Sequence, residues 1–442
     1  MTNRRIRKSS PSRRARLGST LDELQKESFE YFLHEINPEN GLVSDKTAAG
    51  WPASIAAVGF CLTSYPVAVE RGFCKRSVAL SRTLNCLRFF AGSTRGNRAA
   101  GYKGFYYHFL DLKTGRRVWN CEVSTIDTAL LLAGVLTVAA YFDKNVPDER
   151  EVRELADILY QAVDWKWALG RKRTLSNGWK PESGFLKARW VGYSEALILY
   201  VLGLGSPSHP LPAESYSAWT DAFQWKNIYD LEFLYAGPLF IHQFSHVWLD
   251  LRKVQDAFMR SHGIDYFENS RRATHVQRQY AIANPLRFEK YREHCWGITA
   301  SDGPGELSRV IDGIERRFHD YIARGVPFGP DDGTLAPWAV VSSLPFAPDI
   351  VLPAIEYMNS LNLRIDNPYG FKATYNPTFV KTTGSVPFWV SRFHFGINQG
   401  PIIVMIENYR SEMMRELMRR CSYIVNGLKR AGFTGGWLER TP

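Results

Sequence analysis

Apolar residues recur along this chain at the three- and four-residue spacing of helices. A first stripe, containing Leu21, Phe29 and Phe32, ends at the Asn37-Pro38 turn. The same spacing predicts ten further helices, over Ser54–Glu70, Ser77–Phe90, Ile126–Phe142, Asp148–Leu169, Ser194–Leu204, Ser245–Ser261, Asp265–Ile282, Gly305–Ala323, Ala347–Leu361 and Asn398–Arg420.

Some of these helices are amphipathic, whereas others are apolar nearly all round. The segments 129–142 and 196–204 are of the second kind, and such a helix must be buried between other helices. Strand-like patterns are short, as in Phe105–Leu110 and Phe388–Phe395. The alternation of buried and surface helices predicts an all-α fold, an α/α toroid with a few short β segments. A stacked helical repeat is the alternative, although we find no regular sequence period.

Polar residues concentrate where the apolar helices begin. Glu122 and Asp127 flank one helix start, Glu195 precedes a second and Asn398 begins a third. In a ring of inner helices these ends would meet at one mouth. N-capping by Ser, Thr, Asp and Asn explains part of the pattern, but it explains Glu195 poorly.

The net charge of +11 is unevenly distributed. Residues 1–18 hold seven basic residues and no acidic one, so the remainder has 48 basic against 44 acidic residues. We expect 1–18 to be a basic disordered tail and 19–442 a single catalytic domain. A solvated tail is favoured over a nucleic-acid-binding one. No uncharged apolar run reaches the roughly 18 residues of a membrane span. The tail lacks the hydrophobic centre of a secretory signal, which favours a cytoplasmic protein, or a periplasmic one if the start is misassigned.

Four loops combine glycine, aromatic residues and carboxylates: SNGWKPESGF, ARWVGYSEA, CWGITASDGPGE and PDDGTLAPW. Aromatic faces can stack on sugar rings, and two carboxyl groups can act as acid and as base or nucleophile. The loops therefore point to a sugar-cleaving groove. Trp190, Trp296 and Asp331 lie in these loops and are candidates to line it.

Other chemistries find less support in the sequence. His242, His246 and Asp250 have the spacing of a metal triad on one helical face, but they are interleaved with aromatic residues, and we predict no metal and no cofactor. The glycine motifs of nucleotide-binding folds are absent. The oligomeric state stays open.

The chain resembles the glycoamylase-like domain family, which includes endo-β-1,2-glucanases of glycoside hydrolase family 144. The matching stretches run in family order and cover most of residues 20–435. They include EVSTIDTALLLAGVL (122–136), WVGYSEALILYVLGLGSPSHP (190–210), WGITASDGP (296–304) and DDGTLAPWAVVSSLPFAP (331–348). The resemblance implies an (α/α)6 barrel and an enzyme whose partner is a β-linked glucan, and the family favours β-1,2 linkages.

The resemblance also implies roles for individual residues. Glu195 matches the general acid of these glucanases, and Glu122 and Asp127 match acidic positions at the same barrel mouth. These three are the predicted catalytic residues. Further matches are predicted to line the groove: Tyr193, His242, Asp302, Asp332 and Arg410.

Two positions depart from the family pattern. Many members have an aspartate where this chain has Ala373 in GFKATYN and Asn398 in INQGP. The departure leaves three functions open. The first is a β-1,2-glucanase with Glu195 as general acid, and the second is a retaining transglycosylase that uses Glu122 and Glu195. The third is a glucan-binding protein without catalysis.

Overall fold

The computed structural model describes residues 13–93, 99–365, 367–381 and 386–441. Most of the regular secondary structure is helical, and the strands are short. The helices are α1 (Arg13–His34), α2 (Ile55–Glu70), α3 (Arg76–Gly92), α4 (Thr125–Tyr141), α5 (Pro147–Gln161), α6 (Leu197–Gly205), α7 (Glu214–Thr220), α8 (Ala257–Ser261), α9 (Tyr266–Ala283), α10 (Pro337–Ser342), α11 (Pro348–Ser360), α12 (Gly396–Arg410), α13 (Met413–Arg419) and α14 (Ser422–Arg430). The strands are β1 (Ala53–Ser54), β2 (Gly101–Tyr102), β3 (Phe105–Tyr107), β4 (Phe109–Leu110), β5 (Val123–Ser124), β6 (Gly178–Lys180), β7 (Gly184–Phe185), β8 (Trp225–Ile228), β9 (Leu231–Leu234), β10 (Ala300–Ser301), β11 (Leu307–Ile311), β12 (Ile314–Phe318), β13 (Ile322–Ala323), β14 (Tyr375–Val380) and β15 (Phe388–Val390). The predicted helix-rich fold with a few short β segments is confirmed.

The all-round apolar helices occupy the centre of the molecule, as their composition requires. Nearly every residue of α2, α4, α6 and α12 is buried. Helix α2 packs between α4 and α12, α4 also packs on α6, and α12 also packs on α10. Amphipathic helices cover them: α5 packs on α4, and α14 packs on α6.

Two glycines allow α2 and α4 to approach closely. A Cβ atom on Gly59 would collide with the backbone of Leu130, and one on Gly134 would collide with the backbone of Gly59. Because the two helices touch backbone to backbone, their relative position is fixed, and so is that of the residues at their ends.

Short strands fasten the beginnings of these helices together. Strand β1 leads directly into α2 and pairs with β4, while β5 leads into α4 and lies in a sheet of order β2-β3-β5-β6-β7. The main-chain N–H of Gly396, at the start of α12, donates to the carbonyl of Asp45, 2.9 Å away. We call the region where α2, α4, α6 and α12 begin the mouth.

Two predicted helices are wrong. The stretch Gly305–Ala323 forms the β11–β12 hairpin, which turns at Asp312 and Gly313, both with positive φ. Asp-Gly is the strongest short hairpin signal, and here it outweighs the helical spacing. The stretch Ser245–Ser261 contains only a 3₁₀ turn, Phe244–Val247, and the short α8.

The predicted helix Asn398–Arg420 is interrupted. At Ser411 the backbone becomes extended, and the hydroxyl of that residue donates to Glu407, 2.6 Å away. The chain then continues as α13. Serine competes for local hydrogen bonds in this way at helix ends, which the apolar periodicity alone does not reveal.

The predicted tail falls partly outside the described residues, which exclude 1–12. Helix α1 already includes residues 13–18. The division into a tail and one domain stays a prediction. Within the described ranges, no helix is both long and apolar enough to cross a membrane.

Candidate active site

The start of α4 has a capping serine, and two of the predicted carboxylates, Glu122 and Asp127, lie beside it. The hydroxyl of Ser124 accepts from the main-chain N–H of Asp127 and donates to its carboxylate at 2.5 Å. Glu122 lies immediately before β5, which leads into α4. The capping explanation is therefore correct for Ser124, and the Asp127 oxygen that Ser124 bonds, Oδ2, is also the one nearest His108.

His108 bridges these two carboxylates. Its Nδ1 lies 3.0 Å from Glu122, and its Nε2 lies 3.5 Å from Asp127. Burial opposes the charged ring, but Asp127, Glu122 and Asp45 outweigh it and raise the pKa of His108 to about 9. The hydrogen bond from His108 lowers the pKa of Glu122 below its usual value. A cationic imidazolium thus sits between two anionic side chains.

Glu195 lies two residues before α6 begins, with Ala196 as the N-cap. None of the other described residues hydrogen-bonds its carboxylate, and only its main-chain carbonyl accepts, from Ser245. Burial, and then the negative charge of Asp127, raise the pKa of Glu195 to about 7. Glu195 is therefore a carboxyl group that can hold its proton near neutral pH.

The sequence did not reveal Asp45, which joins this group from the loop before β1. Burial raises its pKa to about 6, against the charge of His108 and a 3.2 Å hydrogen bond from the indole of Trp51. No helix begins at Asp45, so the pattern that found the other carboxylates could not find it. Its signal is local: an acid in a Gly- and Trp-containing loop, GLVSDKTAAGW.

Tyr321 shows that these carboxylates share one space. The residue is 57% exposed, yet the surrounding protein and the charges of Asp45, Asp302, Glu195 and Asp127 raise the pKa of its hydroxyl far above the usual value. Because their charges all act on the Tyr321 hydroxyl, these four carboxylates lie around one space at the mouth, and we call that space the cleft.

Asp302 is held by two hydroxyl groups. Its carboxylate accepts from the hydroxyls of Ser391 at 2.7 Å and Thr374 at 2.9 Å. Burial raises its pKa in spite of these hydrogen bonds. Ala373 precedes Thr374 in the chain, and Asn398 lies in the first turn of α12. The two departures from the family pattern are thus at the cleft.

The predicted groove residues Asp331 and Asp332 are engaged inside the protein. Arg324 holds Asp332 through two 2.8 Å hydrogen bonds, and both side chains are fully buried. Tyr291 donates to Asp331 at 2.9 Å. Asp332 therefore anchors the loop that leads to Tyr321, and neither carboxylate is among those that act on the Tyr321 hydroxyl.

An aromatic wall lies beside the carboxylates. The ring of Phe109 stacks on His108 with centroids 4.0 Å apart, and Trp119 contacts both Phe109 and Trp51 at about 5 Å. Trp119 is 56% exposed and has a φ of 56°, a left-handed conformation that is costly for a large side chain. The Lys46 ammonium lies 3.9 Å from the centroid of the Trp51 ring. Trp119 was missed because nothing in its sequence neighbourhood distinguishes it.

Other predicted groove residues lie behind the cleft or away from it. The indole of Trp190 donates to Thr125 at 2.9 Å, next to the start of α4. Tyr193 packs at a tilt against His242 and edge-on against Phe223. Trp296 is 1% exposed, so it is a core residue in this conformation.

Arg410 ends α12 and lies at the opposite end of that helix from the mouth. It pairs with Asp22 at 2.7 Å and with Gln25 at 3.1 Å. A 15-residue helix is roughly 20 Å long, so Arg410 does not join the cleft carboxylates. Its groove role stays a prediction that these contacts do not favour.

The proposed metal spacing does not produce a metal centre among the described residues. His242 contacts the carbonyl of Ala236, His246 contacts Ser270, and Asp250 is paired with arginine. Burial lowers the pKa of His242 to about 4 and that of His246 to about 3, so both rings are neutral. They are satisfied core histidines in this fold.

Known proteins are similar to this chain in sequence and in fold. It is 26% identical over 93% of its length to an exo-β-1,2-glucooligosaccharide sophorohydrolase (non-reducing end) of Parabacteroides distasonis, and spans 57% of that protein. An endo-β-1,2-glucanase of Chitinophaga pinensis, solved with sophorotriose and glucose, superposes with a TM-score of 0.83 at 25% identity. The match covers 96% of this chain and 99% of that one.

A β-1,2-glucanase of Parabacteroides distasonis has the same fold, with a TM-score of 0.83 at 24% identity over 96% of this chain and 61% of that one. The Glycoamylase (glucoamylase) family model matches residues 187–422, which is more than half of the sequence. The resemblance found in the sequence is confirmed. This chain belongs to the Glycoamylase family.

Proposed function

We propose that this chain is a glycoside hydrolase that cleaves β-1,2-linked glucan, with Glu195 as the general acid. The observation that carries the proposal is the Glu195 carboxyl. Its raised pKa of about 7 leaves it partly protonated at neutral pH, no side chain of another described residue hydrogen-bonds to it, and it lies in the cleft with three other carboxylates. The named β-1,2-glucan activities of the relatives supply the substrate.

The surroundings of Glu195 solve a conflict that its position creates. A helix N-terminus favours the anion and lowers a carboxyl pKa, whereas a general acid must keep its proton until the leaving oxygen takes it. Burial and the charge of Asp127 act in the opposite direction. Because these effects exceed that of the helix, Glu195 has the protonation that acid catalysis needs.

We assign the general base to Asp45. It faces the same cleft as Glu195, its pKa of about 6 leaves it ionised near neutral pH, and Trp51 is the one described residue that hydrogen-bonds its side chain. Asp302 and Asp127 are held by more partners. In this scheme Asp45 takes a proton from water, whose oxygen bonds to the anomeric carbon. The glycosidic C–O bond breaks, and Glu195 protonates the departing oxygen.

Trp119 and its neighbours would provide the sugar-binding surface. An exposed indole beside a carboxylate cleft offers a flat apolar face to a pyranose ring. Backbone strain of the kind seen at Trp119 is retained mainly where function requires a fixed side chain. We therefore expect a glucose unit to stack on Trp119.

We also infer that the inner helices close into the predicted (α/α)6 ring. Residues 239–247 fill the interval between α6 and α10. The main-chain N–H of Ile198 in α6 donates to Ser245 at 3.2 Å, and Gln243 donates to the carbonyl of Ala339 in α10 at 2.6 Å. The ring would then consist of α2, α4, α6, this segment, α10 and α12.

A retaining transglycosylase is the second candidate. It is favoured by Ala373 and Asn398, which lack the carboxylates that many family members carry there. Glu122 would be the nucleophile, and its lowered pKa keeps it ionised. A glucan-binding protein without catalysis is the third candidate.

The test is incubation with linear β-1,2-glucan, with analysis of products and of their anomeric form. The hydrolase predicts shorter oligosaccharides of inverted configuration, and Asp45→Asn as well as Glu195→Gln abolishing turnover. Retained configuration with dependence on Glu122 in place of Asp45 would identify the transglycosylase. Binding without release of sugar would identify the third function. Glu151→Gln, an exposed residue of α5 paired with Arg88, is the matched control.

A further inference from the structure

His108 is fixed between the beginnings of α2 and α4. Its main-chain N–H donates to the carbonyl of Glu122 at 3.0 Å, and its own carbonyl accepts from Ile55 at 3.3 Å. Phe109 stacks on its ring at 4.0 Å with an interplanar angle of 13°. Backbone and ring are therefore both held, so the imidazole has a defined direction toward the cleft.

The imidazole makes one contact on each side. Nδ1 lies 3.0 Å from Glu122 Oε1, and Nε2 lies 3.5 Å from Asp127 Oδ2. Nδ1 is within hydrogen-bonding distance of Glu122, whereas the separation of Nε2 from Asp127 is that of an ion pair. The geometry thus fits a charged ring that hydrogen-bonds to one carboxylate and lies beside a second.

Few other cations reach this cluster. Among the described residues, His108 forms the ion pairs with Glu122 and Asp127, and neither Asp45 nor Glu195 has a basic partner within 4.0 Å. The other charged or titratable groups around the cluster are more distant: Lys46 and Asp45 from the loop before β1, Lys180 from β6, Glu195 from before α6, and Asp302 and Tyr321 at the cleft. His108 is therefore the closest positive charge in an acidic cleft.

We propose that His108 is a positioning residue that clamps Glu122 and Asp127 as a fixed pair of carboxylates, so that the proton-donor role falls to Glu195. This inference rests on the proposed function. It adds His108 to a reaction scheme that otherwise needs Glu195 and Asp45. Burial, and then the negative charge of Asp127, disfavour ionisation of Glu195, and the clamp fixes where that charge lies. His108 itself touches no reacting atom in this scheme.

The first experiment follows the pH dependence of kcat and KM on linear β-1,2-glucan for the parent and for His108→Gln. Glutamine can still hydrogen-bond but carries no charge. We expect kcat to fall roughly tenfold or more. The acidic limb of the pH profile should move to higher pH, because Asp45 loses a cation that lowers its pKa. KM should change less than kcat. His34→Gln, which removes a surface histidine paired with Glu30 on α1, should leave the profile unchanged.

A folded His108→Gln protein with the parent's pH profile would overturn the proposal, even if kcat fell, because a merely structural role would lower kcat without moving either limb. His108→Lys, which restores the positive charge, should return the acidic limb part of the way. Failure of the parent to act on any glucan would refute the proposed function and not this inference.

The second experiment needs no activity. The ring nitrogens of His108, observed by NMR in the full-length protein, should remain protonated from pH 6 to about 8. Glu122→Gln or Asp127→Asn should lower its titration midpoint. A His108 ring that titrates near the ordinary value of about 6.5 would overturn the clamp whatever the substrate proves to be.

Discussion

The two ends of the inner helices treat buried carboxylates in opposite ways. At the end away from the mouth, arginines neutralise them: Arg71 grips Glu407 through two 2.8 Å hydrogen bonds, and Arg252 pairs with Asp250 at 2.8 Å. Burial opposes ionisation of Asp250, but Arg252 and Arg419 outweigh it and lower its pKa to about 2. A cavity of about 670 Å³ also opens at this end, so cavity size alone does not identify the site.

At the mouth the balance is reversed. Four carboxylates act on one tyrosine, a single histidine provides the close positive charge among the described residues, and the pKa values of Glu195 and Asp45 rise to about 7 and 6. Arginine pairs that satisfy every charge build a stable structure, whereas carboxyls kept near neutral pKa can exchange protons. The comparison separates carboxylates that hold the fold from those that serve chemistry, and the following predictions test that separation.

The largest effect should come from the mouth. Glu195→Gln keeps the size of the side chain but removes the proton that can be delivered, so kcat on β-1,2-glucan should fall by about 10²-fold or more. The melting temperature should not fall. Parent-like turnover by a folded Glu195→Gln protein would end the assignment, and the surface variant Glu151→Gln should keep full activity.

The opposite end should respond in stability and not in chemistry. Asp250→Asn removes the buried one of the two acidic partners that Arg252 and Arg419 share, the other being Glu412. Because both arginines are about one-third exposed and keep Glu412, we expect a loss of about 2 kcal/mol, less than for a fully buried pair. Chemical denaturation measures this loss. Turnover at 25 °C should stay within about twofold of the parent's. A large fall in kcat without loss of stability would contradict the division between the two ends.

Trp119 should affect binding more than turnover. Replacing it with alanine removes the stacking face, which should raise KM roughly five- to tenfold, about 1–1.4 kcal/mol, and leave kcat nearly unchanged. Tyr229→Ala is the matched control, because Tyr229 is also an exposed aromatic residue with positive φ, in the β8–β9 turn. Equal KM values for the two variants would exclude Trp119 from the substrate surface.

The sequence predicted the parts of the mouth that depend on helix starts. Glu122, Asp127 and Glu195 flank apolar helices, and helices that are buried side by side bring their ends together, so the helical pattern alone was enough to group these carboxylates. Their catalytic roles stay predictions. Most helix positions were predictable for the same reason, since apolar periodicity records which face is buried.

The rest depended on information that periodicity does not carry. Asp45 lies in the loop before β1, and His108 lies between β3 and β4. Only pairing between strands that are distant in the sequence brings them to the cleft. Trp296 lies in a glycine-rich loop that suggested exposure, but the loop folds inward. Asp332 looked like a groove residue because its partner, Arg324, is recognisable only in three dimensions.

The smallest expected effect is on the pH dependence of stability, which differs directly between the two charge environments. The folded-state pKa of Glu195 is about 7, above its ordinary 4.5. The unfolded chain therefore ionises first as pH rises, and the folded protein loses stability between about pH 4.5 and 7. Glu195→Gln removes that loss, so its melting temperature should gain on the parent's by roughly 2 °C or more between pH 5 and 8.

Asp250 has a lowered pKa of about 2, so its stabilisation is complete above about pH 4 and disappears only as pH falls toward 2. The deficit of Asp250→Asn should thus be constant from pH 5 to 8. Calorimetry of both variants and the parent at three pH values measures these differences in melting temperature. If the difference between Glu195→Gln and the parent does not change with pH, Glu195 is an ordinary, ionised surface carboxylate.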